Sequence, residues 1–202
     1  WGRGHETYGE DPFLTARLGV AYIQGLQGEG TYMKAAACAK HFAVHSGPES
    51  ERHHFDAIAS KRDLWDTYLP AFEACVKEAQ VEAIMGAYNR TNGEPCCGSK
   101  TLIQEILREQ WGFRGHFVSD CWAIRDFHAE HKITATAPES AALALQNGCD
   151  VNCGITYLHL MQAYQDGLVT EEQIRESAIR LFTTRYKLGM FDEQCSYNQI
   201  PY

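Results

Sequence analysis

Short apolar runs separated by longer amphipathic segments set the pattern of this chain. Four runs are short enough to be buried strands, and they are residues 35–42, 83–88, 116–120 and 149–153. Apolar runs of this length are typical of parallel strands that are covered on both faces. The first run is rich in alanine, so a helix is an alternative there.

The first helix begins at a recognisable signal. Asp11 followed by Pro12 places an N-cap carboxylate before a first-turn proline, which predicts a helix start. Large apolar residues then recur every four positions, which predicts one buried helix face. They are Leu14, Leu18, Tyr22 and Leu26.

Further helices are predicted over 61–68, 70–80, 100–111, 138–147, 157–166 and 171–188. Ser99 is the expected N-cap of the third, and Thr170 forms a capping-box pattern with Gln173 before the last. Two of these helices have apolar stripes that should face inward. The stripes are Phe72, Cys75, Val76 and Ala79 in one, and Leu102, Ile103, Ile106 and Leu107 in the other. The polar stretch 44–56 is predicted to be a long loop.

Strands and helices therefore alternate at roughly thirty to forty residues per unit, which favours parallel, right-handed strand–helix–strand units. About four strands are too few to close an eight-stranded barrel of ~250 residues. No glycine-rich nucleotide-binding motif is present. The predicted fold class is α/β, a partial (β/α)8 TIM-type barrel whose early strands are missing. Residues 1–189 would form the C-terminal part of that barrel, and 190–202 the start of a linker to a missing second domain.

Composition narrows the possible partners and leaves localisation unknown. The formal net charge is −8 without a basic cluster, so nucleic acid and anionic membranes are not expected partners. No apolar run approaches the ~18 residues of a membrane span. The chain opens without Met or a leader, so we expect a piece of a longer protein. The eight cysteines have no zinc-ligand spacing; we expect mostly buried free thiols, with Cys96-Cys97 as an exposed pair.

Polar side chains at the ends of the predicted strands are the candidates for chemistry. Lys40 and His41 end the first strand, Tyr88 the second and Asp120 the third, and Arg3 lies in a loop. Because the carboxyl ends of parallel strands meet at one rim, these groups should converge there. Such a set suits a neutral, polyhydroxylated substrate, and its cations would keep the carboxylate ionised. Each residue also has a structural alternative; for Asp120 it is a helix N-cap.

Several motifs occur in the order found in a known family. They are Trp1-Gly2-Arg3-x-x-Glu6-Thr7, Gly9-Glu10-Asp11-Pro12, Lys40-His41-Phe42, Ala87-Tyr88-Asn89 with Asn92-Gly93, and Val118-Ser119-Asp120. With them the chain resembles glycoside hydrolase family 3 over nearly its whole length. The stretches Arg52-His53-His54-Phe55-Asp56-Ala57, Ser119-Asp120-Cys121 and Asp150-x-Asn152-Cys153-Gly154 are most similar to its β-xylosidase and β-glucosidase branch.

The resemblance implies a retaining, exo-acting β-glycosidase that removes terminal β-xylosyl or β-glucosyl residues from β-linked oligosaccharides or glycosides without a cofactor or metal. Asp120 matches the nucleophile, and Tyr88 matches a tyrosine close to it. Arg3, Lys40 and His41 match residues that hydrogen-bond the sugar. Many members have Trp directly after the nucleophile; here Cys121 takes that place and Trp122 follows, so the stacking role is not carried over.

The resemblance also implies that the general acid lies elsewhere. In two-domain members it is a glutamate of a following domain, which this chain lacks, so the fragment is expected to be inactive alone. A single-domain branch instead uses a loop histidine assisted by an aspartate two residues before it. His53 with Glu51 has a similar offset, but the surrounding motif differs.

Two other kinds of function remain as alternatives. A barrel lyase or aldolase could use Lys40 as a Schiff-base amine with a pKa lowered by burial. A non-catalytic carbohydrate- or metal-binding module could use the histidines instead. Those histidines are His41, His45, His53 and His54, and they do not form an HExxH motif.

Overall fold

The structure, a computed structural model, describes residues 4–201. Its strands are β1 (Cys38–Phe42), β2 (Asp56–Ala57), β3 (Ala83–Gly86), β4 (Arg90–Thr91), β5 (Glu94–Pro95) and β6 (His116–Ser119). Its α-helices are α1 (Pro12–Gln27), α2 (Lys61–Asp63), α3 (Pro70–Lys77), α4 (Ala123–Ala129), α5 (Ala137–Gln146), α6 (Leu160–Gln165) and α7 (Glu171–Lys187). Leu64–Tyr68 and Lys100–Gln110 are wider, π-type helices.

The central sheet has the order β1-β3-β6, and all of its pairs are parallel. Ala83 pairs with His116 and Gly86 with Ser119, so β3 and β6 end together. The peptide bonds Lys40–His41 and Phe42–Ala43 in and after β1 are cis. A smaller sheet joins β2, β4 and β5 beside this end. Consecutive parallel strands linked by helices confirm the prediction of a partial barrel.

The run 149–153 is not the full strand that its apolar residues predict. Only Val151 pairs with β6, through one parallel bridge to Val118. Beyond it, the Cys153 amide donates to the Ser119 hydroxyl at 3.0 Å, which turns the chain away from the ladder. In the fourth predicted strand, Val151 is therefore the residue that pairs with β6.

The core lies between the central sheet and the helices that follow its strands. Phe42, Ile84 and Phe117 are fully buried in the sheet. The predicted stripe of the Lys100–Gln110 helix faces them, since Leu102, Ile103, Ile106 and Leu107 are all buried. In α3 the residues Cys75 and Val76 are buried, as is Ala79 just after it, whereas Phe72 is half-buried.

The predicted helix starts are confirmed by their hydrogen bonds. The Asp11 carboxylate accepts from the Phe13 amide at 2.8 Å, and the Ser99 hydroxyl from the Leu102 amide at 2.9 Å. Thr170 and Gln173 form the reciprocal capping box before α7. Helix α4, directly after Asp120, was not predicted, because its seven residues are too few to show a helical period.

The buried face of α1 differs from the prediction. Its large residues Leu14, Leu18, Tyr22 and Leu26 are exposed. Ala16, Val20 and Ile23 are buried instead. The reason is that α1 packs on α3 with the face that carries Gly19, where an added Cβ would contact the Cys75 sulfur at 3.4 Å. The large residues lie at other positions around the helix and are turned away from α3.

The predicted exposure of Cys96-Cys97 is wrong. Both side chains are fully buried, because their thiols donate to the carbonyls of Ala43 and Ala87 beneath the strand ends. Cys38 is exposed instead, and Cys121 forms a disulfide with Cys153. The cysteines therefore include one covalent link beside the predicted nucleophile.

The segment 190–201 contains one short 3-10 turn, Ser196–Gln199, and packs on the domain. Cys195 is buried, and the Tyr32 hydroxyl donates to Asp192 at 2.5 Å. Between residues 4 and 201, no helix has the length and apolar character needed to cross a membrane.

Candidate active site

Asp120 lies at the C-terminal end of β6, where the sequence predicts it. Its amide donates to the Gly86 carbonyl at 3.3 Å, which continues the pairing of β6 with β3. Its Oδ1 accepts a hydrogen bond from the Cys121 amide at 2.8 Å, and its Oδ2 lies 3.3 Å from His41 Nε2. The N-cap of α4 is Trp122, so the N-cap alternative for Asp120 is wrong. The carboxylate is instead turned toward the ends of β1 and β3.

His41 and Tyr88 form the walls on either side of this carboxylate. Both are buried, with 7% of the His41 side chain and 8% of Tyr88 exposed. Burial, followed by the charge of Asp120, raises the pKa of Tyr88 to about 12. The phenol therefore stays protonated at neutral pH and can donate its hydrogen bond to Asp120.

Lys40 lies farther out than its neighbour His41. Its Nζ is 3.2 Å from the Glu6 carboxylate, and 41% of its side chain is exposed. It reaches the rim, but its ion pair is with Glu6. Arg3 lies outside the described residues. Of the five predicted site residues, the structure thus groups His41, Tyr88 and Asp120, and places Lys40 at the edge of that group.

The loop between β1 and β2 adds Arg52, which was not among the candidates, and His45 and His53, which the sequence suggested only for alternative roles. The Arg52 guanidinium lies 5.4 Å from the centre of the Tyr88 ring, and its charge partly opposes the rise in the Tyr88 pKa. The His53 ring is 4.8 Å from the same ring. His45 lies 4.7 Å from His41 and 3.2 Å from the Asn89 amide oxygen. The available signal was the density of cations and histidines in a predicted loop.

The backbone just after Asp120 is held by the Cys121–Cys153 disulfide. The Trp122 amide donates to the Cys153 carbonyl at 2.7 Å, and Trp122 has a left-handed backbone with φ of 72°. A residue with a large side chain rarely adopts this conformation, so the surrounding links must maintain it. The turn that presents Asp120 is therefore fixed from both sides.

A second buried carboxylate, Asp150, serves as a contrast. It accepts hydrogen bonds from Arg108 at 2.8 Å, Arg180 at 2.9 Å and Ser177 at 3.1 Å, and from the Phe117 amide at 2.8 Å. With both oxygens occupied by cations and donors, it is a structural carboxylate. Among residues 4–201, the Asp120 carboxylate has fewer partners than Asp150, and 12% of its side chain is exposed at the strand ends, against 0% for Asp150.

Across residues 4–201, no three His, Cys, Asp or Glu side chains are grouped closely enough to hold a metal ion. The four histidines considered as a zinc site are each placed with other partners. His53 pairs with Asp126 and His54 with Glu130, while His41 faces Asp120. The described residues do not supply a coordination sphere.

Comparison with known proteins identifies the family. The model of the glycosyl hydrolase family 3 N-terminal domain matches residues 1–184. The chain is 46% identical to a xylan 1,4-beta-xylosidase of Xylanibacter ruminicola over 209 residues, covering all of this chain and 24% of that protein. It is 38% identical to beta-D-xylosidase 1 of Arabidopsis thaliana over 198 residues, covering 95% of this chain and 26% of that protein.

Solved structures agree with this result. A GH3 exo-beta-xylosidase (XlnD), bound to a xylobiose aziridine activity-based probe, superposes with a TM-score of 0.94 at 32% identity, covering 99% of this chain and 27% of that one. A beta-glucosidase from Listeria innocua bound to isofagomine gives 0.88 at 31% identity, covering 96% and 28%. The chain spans about a quarter of the length of these relatives. It belongs to glycosyl hydrolase family 3, and it carries the family's N-terminal domain as part of a TIM-type barrel.

Proposed function

We propose that the protein containing this chain is a retaining, exo-acting β-glycosidase with Asp120 as its nucleophile. The observation that carries the proposal is the setting of the Asp120 carboxylate. It stands at a strand end between His41 and Tyr88, with one oxygen tied to the Cys121 amide and the other 3.3 Å from an imidazole nitrogen. A carboxylate at this strand end can attack an anomeric carbon bound at the rim, as a nucleophile must.

The proposed reaction has two displacements. Asp120 attacks the anomeric carbon as the glycosidic bond breaks, and a general acid protonates the leaving oxygen. Water then attacks the same carbon, gives its proton to the conjugate base of that acid, and frees the Asp120 carboxylate. Retention requires the two carboxyl groups to lie roughly 5–5.5 Å apart. We infer that the acid is supplied from outside these 202 residues, so the fragment alone would be inactive.

The sugar would be held by the cations and the histidine of this rim. Lys40 and His41 lie near the end of β1, with His41 Nε2 3.3 Å from Asp120 Oδ2, and we propose that they donate hydrogen bonds to sugar hydroxyls together with Arg3. The relatives compared above are named as β-xylosidases or β-glucosidases. The proposed substrates are therefore terminal β-xylosyl or β-glucosyl residues of oligosaccharides or glycosides.

The Schiff-base alternative has less support. A lysine that forms a Schiff base is activated by desolvation or by a neighbouring cation. Lys40 is instead exposed and lies 3.2 Å from a carboxylate. Borohydride reduction in the presence of a carbonyl substrate should leave Lys40 unmodified.

The proposal is tested by trapping the full-length protein with a 2-fluoro aryl β-xyloside or β-glucoside and mapping the labelled peptide. The label should be on Asp120, and Asp120→Asn should lower kcat by more than about 10³-fold, because no covalent intermediate can form. Asp66→Asn, the same change at an exposed surface position, is the matched control and should leave kcat unchanged. A label on another residue, or full activity of Asp120→Asn, would contradict the assignment.

A further inference from the structure

Two adjacent histidines join the loop between β1 and β2 to helix α4. His53 Nδ1 lies 2.6 Å from Asp126 Oδ2, and His54 Nδ1 lies 3.3 Å from Glu130 Oε2. The two carboxylates are one helical turn apart. Both pairs therefore join a histidine of the same loop to a carboxylate in or at the end of α4, and they differ in how far they are buried.

The His53 pair is the buried one. Only 2% of the Asp126 side chain is exposed, against 30% for Glu130. Burial raises the pKa of the Asp126 carboxyl, and the hydrogen bond to His53 opposes that rise. A carboxylate is stable in such a place only when a partner satisfies it. No reaction step assigned so far uses this buried group.

The contact with Asp126 also orients the imidazole. An ionised carboxylate can only accept a hydrogen bond, so Nδ1 of His53 carries the proton and the ring is held in one orientation. The His53 side chain is nevertheless 45% exposed. Since Nδ1 faces a buried carboxylate, the exposed edge is the one that carries Nε2. Within residues 4–201, this Nε2 has no hydrogen-bond partner.

The His53 ring also packs against a residue of the proposed site. The His53 ring is 4.8 Å from the Tyr88 ring, and the charge of Asp120 contributes to the raised pKa of Tyr88. Helix α4, which carries Asp126, begins three residues after Asp120. A carboxylate that fixes the tautomer and direction of a pocket histidine is a recurring arrangement in enzyme sites.

We propose that His53 contacts the bound glycoside through Nε2, with a sugar hydroxyl as its hydrogen-bond partner, and that Asp126 is the positioning residue that aims it. The inference rests on the proposed function, since it requires a sugar bound at Asp120. His54 has no such role, because its pair with Glu130 is solvent-exposed and the structure records no ring contact between His54 and Tyr88.

The test uses the full-length protein and five single variants, each close in shape to the residue it replaces. His53→Phe keeps an aromatic ring against Tyr88 but removes Nε2, and we expect KM to rise and kcat/KM to fall about 10-fold to 100-fold. His53→Gln should recover part of that loss, because its amide nitrogen reaches toward the position of Nε2. His54→Phe and Glu130→Gln are the controls and should stay within about twofold of the unchanged protein.

Asp126→Asn separates positioning from contact. The amide still accepts from Nδ1, so its loss should be smaller than that of His53→Phe. Combining the two changes should add little, because both act on one hydrogen bond. Thermal unfolding of each variant is measured alongside, and His53→Gln keeps the test informative if His53→Phe unfolds.

Three results would overturn the inference. In one, His53→Phe and His54→Phe change KM and kcat/KM equally, which would mean that the His53–Asp126 contact only holds the loop against α4. In another, only the unfolding temperature changes. In the third, His53→Phe slows only substrates with poor leaving groups, which would make His53 the general acid. Absence of any glycosidase activity in the unchanged full-length protein would instead refute the proposed function.

Discussion

Large apolar residues are buried at the strand ends of this domain and exposed on its outer helix faces. Around β3 and β6 the large side chains are buried, and Phe117 and Ile84 have no exposed surface. On α1 and α7 the large side chains face outward, with Tyr22 62% and Tyr186 70% exposed. Apolar periodicity therefore identified helices in both regions, but in α1 it did not identify the face that packs on α3.

The first prediction tests this contrast at its two extremes. Phe117→Ala should lower the free energy of unfolding by about 3–5 kcal/mol, because it opens a cavity between the sheet and its helices. Phe182→Ala removes the same atoms from α7, where the ring is 49% exposed. Its cost in this chain should be under about 1 kcal/mol. Chemical denaturation measures both, and equal losses would show that the α7 face is packed after all.

The contrast also shows which features of the structure could be predicted from the sequence. Strand positions and the location of Asp120 follow from local patterns, since a short apolar run and its first polar residue are read within a few positions. The pair His53–Asp126 joins residues 73 positions apart. No local pattern encodes that contact, and the helix carrying Asp126 is too short to show a period. The disulfide was missed for the same reason, because pairing depends on tertiary approach.

The second prediction concerns that disulfide. Cys121→Ser with Cys153→Ser should lower the free energy of unfolding by about 3–4 kcal/mol, from the entropy of a loop whose ends are 32 residues apart in sequence. The turn that presents Asp120 should also loosen, so kcat of the full-length protein should fall. Cys38→Ser alters the exposed thiol and should change neither quantity. A double variant with unchanged unfolding would show that the hydrogen bonds around Trp122 hold the turn by themselves.

The third prediction concerns acid stability on the site side of the molecule. Burial, with the charge of Arg90 as a smaller cause, lowers the pKa of His131 from 6.5 to about 4. The folded state thus favours the neutral ring, and the stability from this residue is present above pH 6.5 and lost as pH falls through 4. The free energy lost is on the order of 2 kcal/mol.

His131→Phe should flatten this dependence, since the ring stacks on Phe127 and a phenyl ring keeps that contact. His5 in the exposed N-terminal turn is the control, and His5→Phe should leave the slope unchanged. The measurement is the free energy of unfolding of each variant and of the unchanged chain from pH 7 to pH 4, and the slopes are compared. An unaltered slope in His131→Phe would show that other groups dominate acid unfolding.

The smallest expected effect is on the outer face of α1. Leu18→Ser with Tyr22→Ser should change the free energy of unfolding of this chain by less than about 0.5 kcal/mol, because both side chains are largely exposed here. In the full-length protein the same pair should cost several-fold more, since a contiguous apolar face of this kind is usually covered by another element. Equal, small effects in both proteins would mean that α1 stays exposed in the full-length protein. Exposed large apolar residues on α1 would then be a feature of the complete protein as well.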